Sequence, residues 1–478
     1  MHPDAATHFN NQAESLLSEL AGPPESKDNT DEFKPDFFIS ETYTDKDIVG
    51  DIDLIWIDHL GVETARFFQQ GSGLLGLQGD SYRTLVGIAE RIQKTRTFDN
   101  AVSLHFLKDA LFEWLKERHK NITDVSMTDY VIQKCIKEIR ELEVWLPIAM
   151  TCTEAEFIIG KVSFKTLSKR MFDEWQESIE APKGMDAEKE QLRQFLLKQR
   201  RELQGLAAAV VKIVAEPRRA REIAVEQSEK ALAILRFFSL ANLLPQKNSY
   251  CTLFGKENVQ RMRSILVQEN RAPIFSGGSL GLASSFWILD NKVMAMSRNG
   301  GLDILGNMLA DEKRTKFQNS ILEAIYIYSK SALAKELTDK LVYICVALES
   351  FLLKNNSEPV QQNLGERMAM ITFQASDRRK SLIKNVRDVY MVRSAFIHHG
   401  QSVSSHKIEI MKEFMLNAWT FLCRVILNSH RFLTKEELID AVDRAKLCGG
   451  DPFSREERSL KRSALFPRCR SGDLIALC

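Results

Sequence analysis

Between residues 312 and 429 one helical apolar repeat follows another, and that stretch limits the fold of this chain more than any other feature. Four segments occur in turn: EKRTKFQNSILEAIYIYSKSALAKEL (312–337), TDKLVYICVALESFLLK (338–354), DRRKSLIKNVRDVYMVRSAFIHHG (377–400) and SSHKIEIMKEFMLNAWTFLCRVILNS (404–429). In the second, Leu341, Cys345, Leu348 and Phe351 or Leu352 recur at three and four. In the last, Ile408, Met411, Met415, Ala418 or Trp419, Leu422 and Ile426 do the same. Such stripes need a partner to bury them, and short connections make consecutive helices antiparallel neighbours. The expectation is an up-and-down helical bundle over 305–440.

A chain of 478 residues exceeds one ordinary core, so two or three domains are expected. Residues 1–46 read as a loose leader, because 22–46 combine proline, acidic and hydroxyl residues. From 47 to 180 strand-like runs (DLIWID, 53–58; WLPIAMTCTEAEFIIGKVSF, 145–164) alternate with helical spacing (100–120 and 129–142), which predicts an α+β domain. Residues 181–304 read as a helical middle region interrupted by FSGGSLGLASSFW, and 447–478 as a flexible tail. The fold class is therefore α+β, mainly α: a mixed N-terminal region followed by the bundle.

Lys plus Arg number 65 against 64 for Asp plus Glu, so no whole-protein basic field exists and any attraction for nucleic acid must be local. Eight scattered cysteines form no Cys-x-x-Cys pair, no signal-peptide pattern opens the chain and no window approaches a membrane span, which predicts a cytoplasmic protein with reduced thiols. Two motif-like stretches are set aside. GSGLLG (71–76) fits Gly-x-Gly-x-x-Gly, but the run before it, ETARFFQQ, reads as helix or loop rather than the strand a dinucleotide site needs, leaving a flexible turn. Asp51, Asp53 and Asp58 read as solvated residues at a strand edge, and the basic runs at 198–202 and 217–221 as exposed helix faces.

One residue breaks the bundle pattern. On a helix over 381–398, Val386, Val389, Tyr390 and Ile397 form an apolar stripe, and Arg393 falls near its middle. A guanidinium keeps its charge and is rarely buried unpaired, so a compensating carboxylate is required, and Glu349 at the edge of the preceding helix's apolar face is the natural one. His398 lies about 140° around and about 7.5 Å along from Arg393, flanking a groove with the Ser394 hydroxyl between them. Two such copies converge most readily in a twofold dimer. Arginine grips phosphate oxygens, and histidine takes or gives a proton near neutrality. RNA supplies its own 2′-OH nucleophile, so neither metal nor cofactor is called for. A 2′,3′-cyclic phosphate product and resistance of DNA follow.

The string YMVRSAFIHHG, with LVYICVALESFLL and LGERMAMI upstream, resembles the HEPN superfamily, and within it the ApeA-like domains of bacterial anti-phage proteins. The family's signature, an arginine followed by four to six residues and a histidine, is matched by Arg393 and His398, and His399 satisfies the looser spacing. The resemblance covers roughly 305–440, under a third of the chain. It implies a HEPN-type bundle whose homodimer, or higher homo-oligomer, joins two such motifs in a metal-independent endoribonuclease site. It also implies that Glu349 orients the arginine and that the N-terminal region senses a trigger, such as a phage product. Ser394 departs from the Asn, Asp or His common after the arginine; Tyr390 lies three residues before it.

The expected function is RNA endonuclease (hydrolase) action, with tRNA among the candidate substrates, serving anti-phage defence, abortive infection or toxin-like arrest. Arg393 and His398 are the expected catalytic pair, with Glu349, Ser394, Tyr390 and His399 in support. The run DRRKSLIKNVR offers Arg378, Arg379, Lys380, Lys384 and Arg387 as an RNA-binding track or as a solvated face. The alternative is a noncatalytic HEPN module that binds RNA or a nucleotide, or scaffolds an assembly.

Overall fold

The computed structural model describes residues 2–23, 53–71, 73–98, 100–180, 186–256, 261–266, 274–279, 286–355, 357–399 and 405–454. Contacts divide the chain into two units that interleave along the sequence. The first takes Met1–Ala149, Lys161–Lys230 and Thr252–Lys256; the second takes Met150–Gly160, Ala231–Cys251 and Glu257–Cys478.

The first unit opens with helix α1 (Pro3–Leu17) and an antiparallel meander of β1 (Leu54–Ile57), β2 (Glu63–Gln70) and β3 (Gly73–Gln78). Helices α2 (Gly79–Lys94), α3 (Leu104–His119) and α4 (Met127–Glu138) follow. One core joins Phe68 and Leu77 of the sheet to Ile88, Leu111, Phe112 and Trp114 of the helices. Two expectations change here. The start of the presumed loose leader is a helix that buries Phe9, Ala13 and Leu16 in this core, with the Asn10 side chain accepting from the Thr128 backbone N–H at 2.9 Å; residues 24–46 lie outside the described residues. ETARFFQQ is a strand, and GSGLLG turns through Gly71 (φ +59°) into the next one. At Gly76 a Cβ would stand 2.0 Å from the Arg66 carbonyl oxygen, so the pattern's last glycine serves close strand pairing.

Beyond it, β4 (Arg140–Pro147) leads to β5 (Thr151–Thr153) and β6 (Phe157–Ile159) of the second unit. The chain then returns through β7 (Val162–Thr166), the helical pair α5 (Lys169–Glu180) and α6 (Asp186–Leu203), and β8 (Ala207–Ala215), which pairs antiparallel with both β4 and β7. The expected helical middle region is corrected here: AAAVVKIVA is a central strand. Gly205, at φ +91°, breaks the helical path after Leu203, and Ala208 and Val210 pack onto Leu167 and Phe172. Helix α7 (Pro217–Phe237) starts on Glu216, a buried carboxylate that accepts from the backbone N–H groups of Arg218 (2.7 Å), Arg219 (2.8 Å) and Ser103 (3.1 Å).

The second unit receives the end of α7 and holds the hairpin of β9 (Arg261–Leu266) with β10 (Ile274–Ser279), and β11 (Trp287–Leu289) parallel to β5. Its helices are α8 (Asn291–Asn299), α9 (Leu302–Ala310), α10 (Lys316–Ser329), α11 (Leu337–Leu352), α12 (Val360–Thr372), α13 (Ser376–His399), α14 (Ser405–Leu427) and α15 (Lys435–Cys448). The expected helices are α10, α11, α13 and α14; α12 and α15 join them. Two groups of rings lie in the core: Phe317 is 5.8 Å from Phe351 and Phe351 6.2 Å from Phe421, and separately Phe237 is 5.5 Å from Tyr328. The ordered chain also runs past 447, since Phe453 is buried and its carbonyl accepts from Arg431 at 2.6 Å; 455–478 lie outside the described residues. No described helix is long and apolar enough to cross a membrane.

Lys340 is wholly buried on α11, its ammonium donating to the Lys247 carbonyl, and burial lowers its pKa to about 8. Between pH 8 and about 10.5 the unfolded chain therefore binds the proton that the folded chain has released, and stability rises with pH. The gain attributable to Lys340 is expected to be on the order of 2–3 kcal/mol across that window. Urea unfolding of wild type and Lys340→Met at pH 7.5 and 10 checks it: the variant should lack this increment, and parallel pH dependence in the two proteins would refute it.

Candidate functional site

Helix α13 buries Leu382, Val386, Val389 and Val392, which sets its rotation and delivers Arg393 to the side facing α11. Glu349 comes from the last turns of α11. A single carboxylate oxygen, Glu349 Oε1, accepts from the Tyr390 hydroxyl at 2.6 Å and from Arg393 Nη1 at 3.2 Å. The guanidinium also lies 5.7 Å from the centre of the Tyr390 ring, one helical turn back. The pairing expected from the apolar stripe is thus present, and tyrosine joins it as a third member.

The Arg393 and Glu349 side chains are 25 % and 23 % exposed, so the pair sits at the boundary of core and solvent. This matters because the rest of the guanidinium is not fully used. Arg393 Nε is buried without a hydrogen-bond partner, so donor capacity toward an incoming acceptor resides in the Nη groups, of which Nη1 already donates to Glu349. Beneath it lies Cys345, one turn before Glu349 and fully buried. Burial pushes its thiol up to about 12, against the pull of the Arg393 charge. Burial raises the Tyr390 hydroxyl above its ordinary range, with the neighbouring Cys345 and the bond to Glu349 adding to the effect. Both groups therefore remain protonated near neutrality, and Tyr390 acts as a donor that fixes the carboxylate.

The remaining expected residues divide. Ser394 is exposed, one position past the arginine. Lys380, Lys384 and Arg387 are exposed at intervals of four and three, and the same line of α13 continues through Met391, 61 % exposed, to Ser394. That gives a basic stripe on one helix face, about 140° around α13 from Arg393. Arg378 and Arg379 depart from it: the Arg379 Nε donates to the Phe373 carbonyl at 2.7 Å, and the Arg378 guanidinium lies 5.6 Å from the Phe373 ring centre, so both engage the corner between α12 and α13. The backbone of His398 and His399 forms the last turn of α13; their side chains lie outside the described residues.

Sequence reasoning missed the polar tie that holds α13. Asn385 and Asn417 are buried; Asn385 Nδ2 donates to the Ile410 carbonyl at 3.0 Å, and Asn417 Nδ2 to Asn385 Oδ1 at 3.4 Å. An asparagine recurring on the apolar line of each helix was the available signal. It also missed a charged network in the first unit: Arg66 binds Asp53 at 2.7 Å and Asp109 at 2.6 Å, while Glu63 holds the Tyr82 hydroxyl at 2.7 Å and the Lys108 ammonium. The reading of Asp53 as a solvated strand-edge residue is corrected by that contact; Asp58, half-buried at the surface, accepts from the backbone N–H groups of Leu60 and Val62 at 2.9 Å in the turn after β1, and Asp51 lies outside the described residues.

Set beside known proteins, the chain matches no family model, no curated protein and no solved structure.

Proposed function

We propose that the chain is a metal-independent endoribonuclease of the HEPN type, cutting RNA through its own 2′-OH at a site shared by two protomers, in anti-phage defence or toxin-like growth arrest. The observation that carries this reading is the anchored, part-exposed arginine: Arg393 donates through Nη1 to Glu349 while a quarter of its side chain remains open to solvent. Anchoring lowers the entropic cost of presenting the guanidinium to a phosphate, and a cation beside the phosphorane stabilises the charge that develops there. His398 serves as base or acid from the last turn of the same helix, with His399 and Ser394 beside it. Lys380, Lys384 and Arg387 attract the RNA backbone.

The test incubates the full-length protein in EDTA with tRNA, mRNA and DNA of matched sequence. Cleavage of RNA alone, leaving 2′,3′-cyclic phosphate ends, is the expected result, with loss in Arg393→Ala and His398→Ala. Equal cutting by wild type and both variants would sink the assignment. The second reading, a noncatalytic HEPN module that binds RNA or nucleotide or scaffolds an assembly, draws on the ion pair itself, since Glu349 and Tyr390 already give Arg393 a packing role. Under it Arg393→Ala lowers stability while RNA remains intact in every sample.

A further inference from the structure

Tyr343 is 37 % exposed on α11, and the surface beside it is hollow. The cavity measures about 430 Å³ and is formed where α10 gives way to α11, with Lys330, Leu333, Ala334, Lys335, Asp339 and Tyr343 along its walls and Glu336 at the helix start. A volume of this size falls within the range of small-ligand sites, roughly 300–1,000 Å³.

The chemistry of the lining narrows the ligand. Two ammonium and two carboxylate groups border one hollow, so a bare anion would face Glu336 and Asp339, and a bare cation would face Lys330 and Lys335. A ligand that is anionic at one end and donor-rich at the other meets both. Leu333 and Ala334 add an apolar wall, and Asp339 and Tyr343, one helical turn apart, project on the same side of α11. An exposed aromatic ring next to a carboxylate suits a planar base that stacks on the first and donates to the second. Among the RNA bases, guanine alone offers two adjacent donors, N1–H and N2–H, on its pairing edge, and a carboxylate accepts such a pair through two parallel bonds.

We propose that this cavity is a guanine nucleotide subsite: Tyr343 stacks the base, Asp339 accepts from its N1–H and N2–H, and Lys330 and Lys335 hold the phosphate. Tyr343 and Asp339 stand about 9 and 15 Å along α11 from Glu349 and about 120° and 80° around it, so a strand engaged at Arg393 has to wrap around α11 to seat a guanosine here. In that respect it rests on the endoribonuclease reading and gives it a base preference; binding of the free nucleotide needs no such support.

The test titrates full-length protein with GMP, AMP and inorganic phosphate by calorimetry. GMP should bind about tenfold more tightly than AMP, and phosphate more weakly than either. Tyr343→Ala and Asp339→Asn should each weaken GMP about tenfold with unchanged melting curves, and Asp339→Asn should erase the preference over AMP. A short single-stranded RNA containing one guanosine should displace GMP if the ligand is a strand, and fail to displace it if the ligand is the free nucleotide. Equal affinity for GMP and AMP, or undiminished GMP binding by Tyr343→Ala, overturns the proposal. GMP binding by a protein that cuts no RNA upholds the subsite and removes the nuclease. RNA cutting by a protein that binds no GMP does the reverse.

Discussion

Replacing Arg367 by alanine is expected to cost the second unit about 3–5 kcal/mol of stability, the loss typical of breaking a buried ion pair from one side. The Arg367 side chain is 3 % exposed. Its Nη1 donates to the Leu352 carbonyl at 2.6 Å and to Glu358 Oε2 at 2.8 Å, while Nη2 donates to Glu358 Oε1 at 2.8 Å. One guanidinium thus caps the C-terminal end of α11, holds the connection to α12 and fills space in the core. Alanine leaves a carbonyl and a carboxylate short of donors and opens a cavity. Methionine keeps the volume, so Arg367→Met should cost less, and Arg367→Met combined with Glu358→Leu less again, because no buried charge is then stranded. The same contact gives a pH signature. The bond from Arg367, aided by the Lys354 backbone N–H, holds the Glu358 carboxyl down to about 2 from an ordinary 4.5. A carboxyl depressed on folding contributes stability that is complete above pH 4.5 and disappears as pH falls toward 2. Urea midpoints between pH 2.5 and 7, followed with hydrogen exchange at α11 and α12, should show that acid dependence weakened in Arg367→Ala. A loss below about 1 kcal/mol at pH 7 would mean the contact is incidental.

The sequence disclosed the bundle wherever an apolar stripe repeated at three and four, and it disclosed the Arg393–Glu349 pair because a charge on such a stripe requires an answer. It concealed elements whose stability comes from partners rather than periodicity. Ala207–Ala215 follows a strongly helical stretch and begins with three alanines, yet pairing on both edges with β4 and β7 outweighs alanine's helix propensity. The helix at Pro3–Leu17 was hidden by its weakly apolar composition, because the three residues that bury it are spaced among polar ones. Tyr390 was seen as a neighbour of Arg393, but its bond to Glu349 depends on the rotation of α13 against α11, which no single-helix argument determines. Arg367 escaped notice for the same reason: its carboxylate lies in a loop nine residues earlier.

If the proposed endoribonuclease site is shared between two protomers, mixing Arg393→Ala protomers with His398→Ala protomers should restore RNA cleavage that neither variant performs alone. On one helix the two positions are about 140° apart, which favours an arginine from one protomer acting with a histidine from its partner. Loss of a general acid or base costs about 10²–10⁴-fold, so each homodimer should be near background. A heterodimer of the two variants retains one arginine and one histidine on opposite chains, and therefore one complete crossed pair. If subunits exchange at random, about half of the mixed dimers are of this kind, and activity should rise at least ~10²-fold above either variant by itself. Exchange is checked by labelling one variant and measuring its co-sedimentation with the other. Co-sedimentation without recovered cleavage would show that each protomer needs its own arginine and histidine, and strict monomers at every concentration would remove the shared site. The mixed population separates these cases because both variants keep Glu349 and Tyr390 and each retains the group that the other lacks.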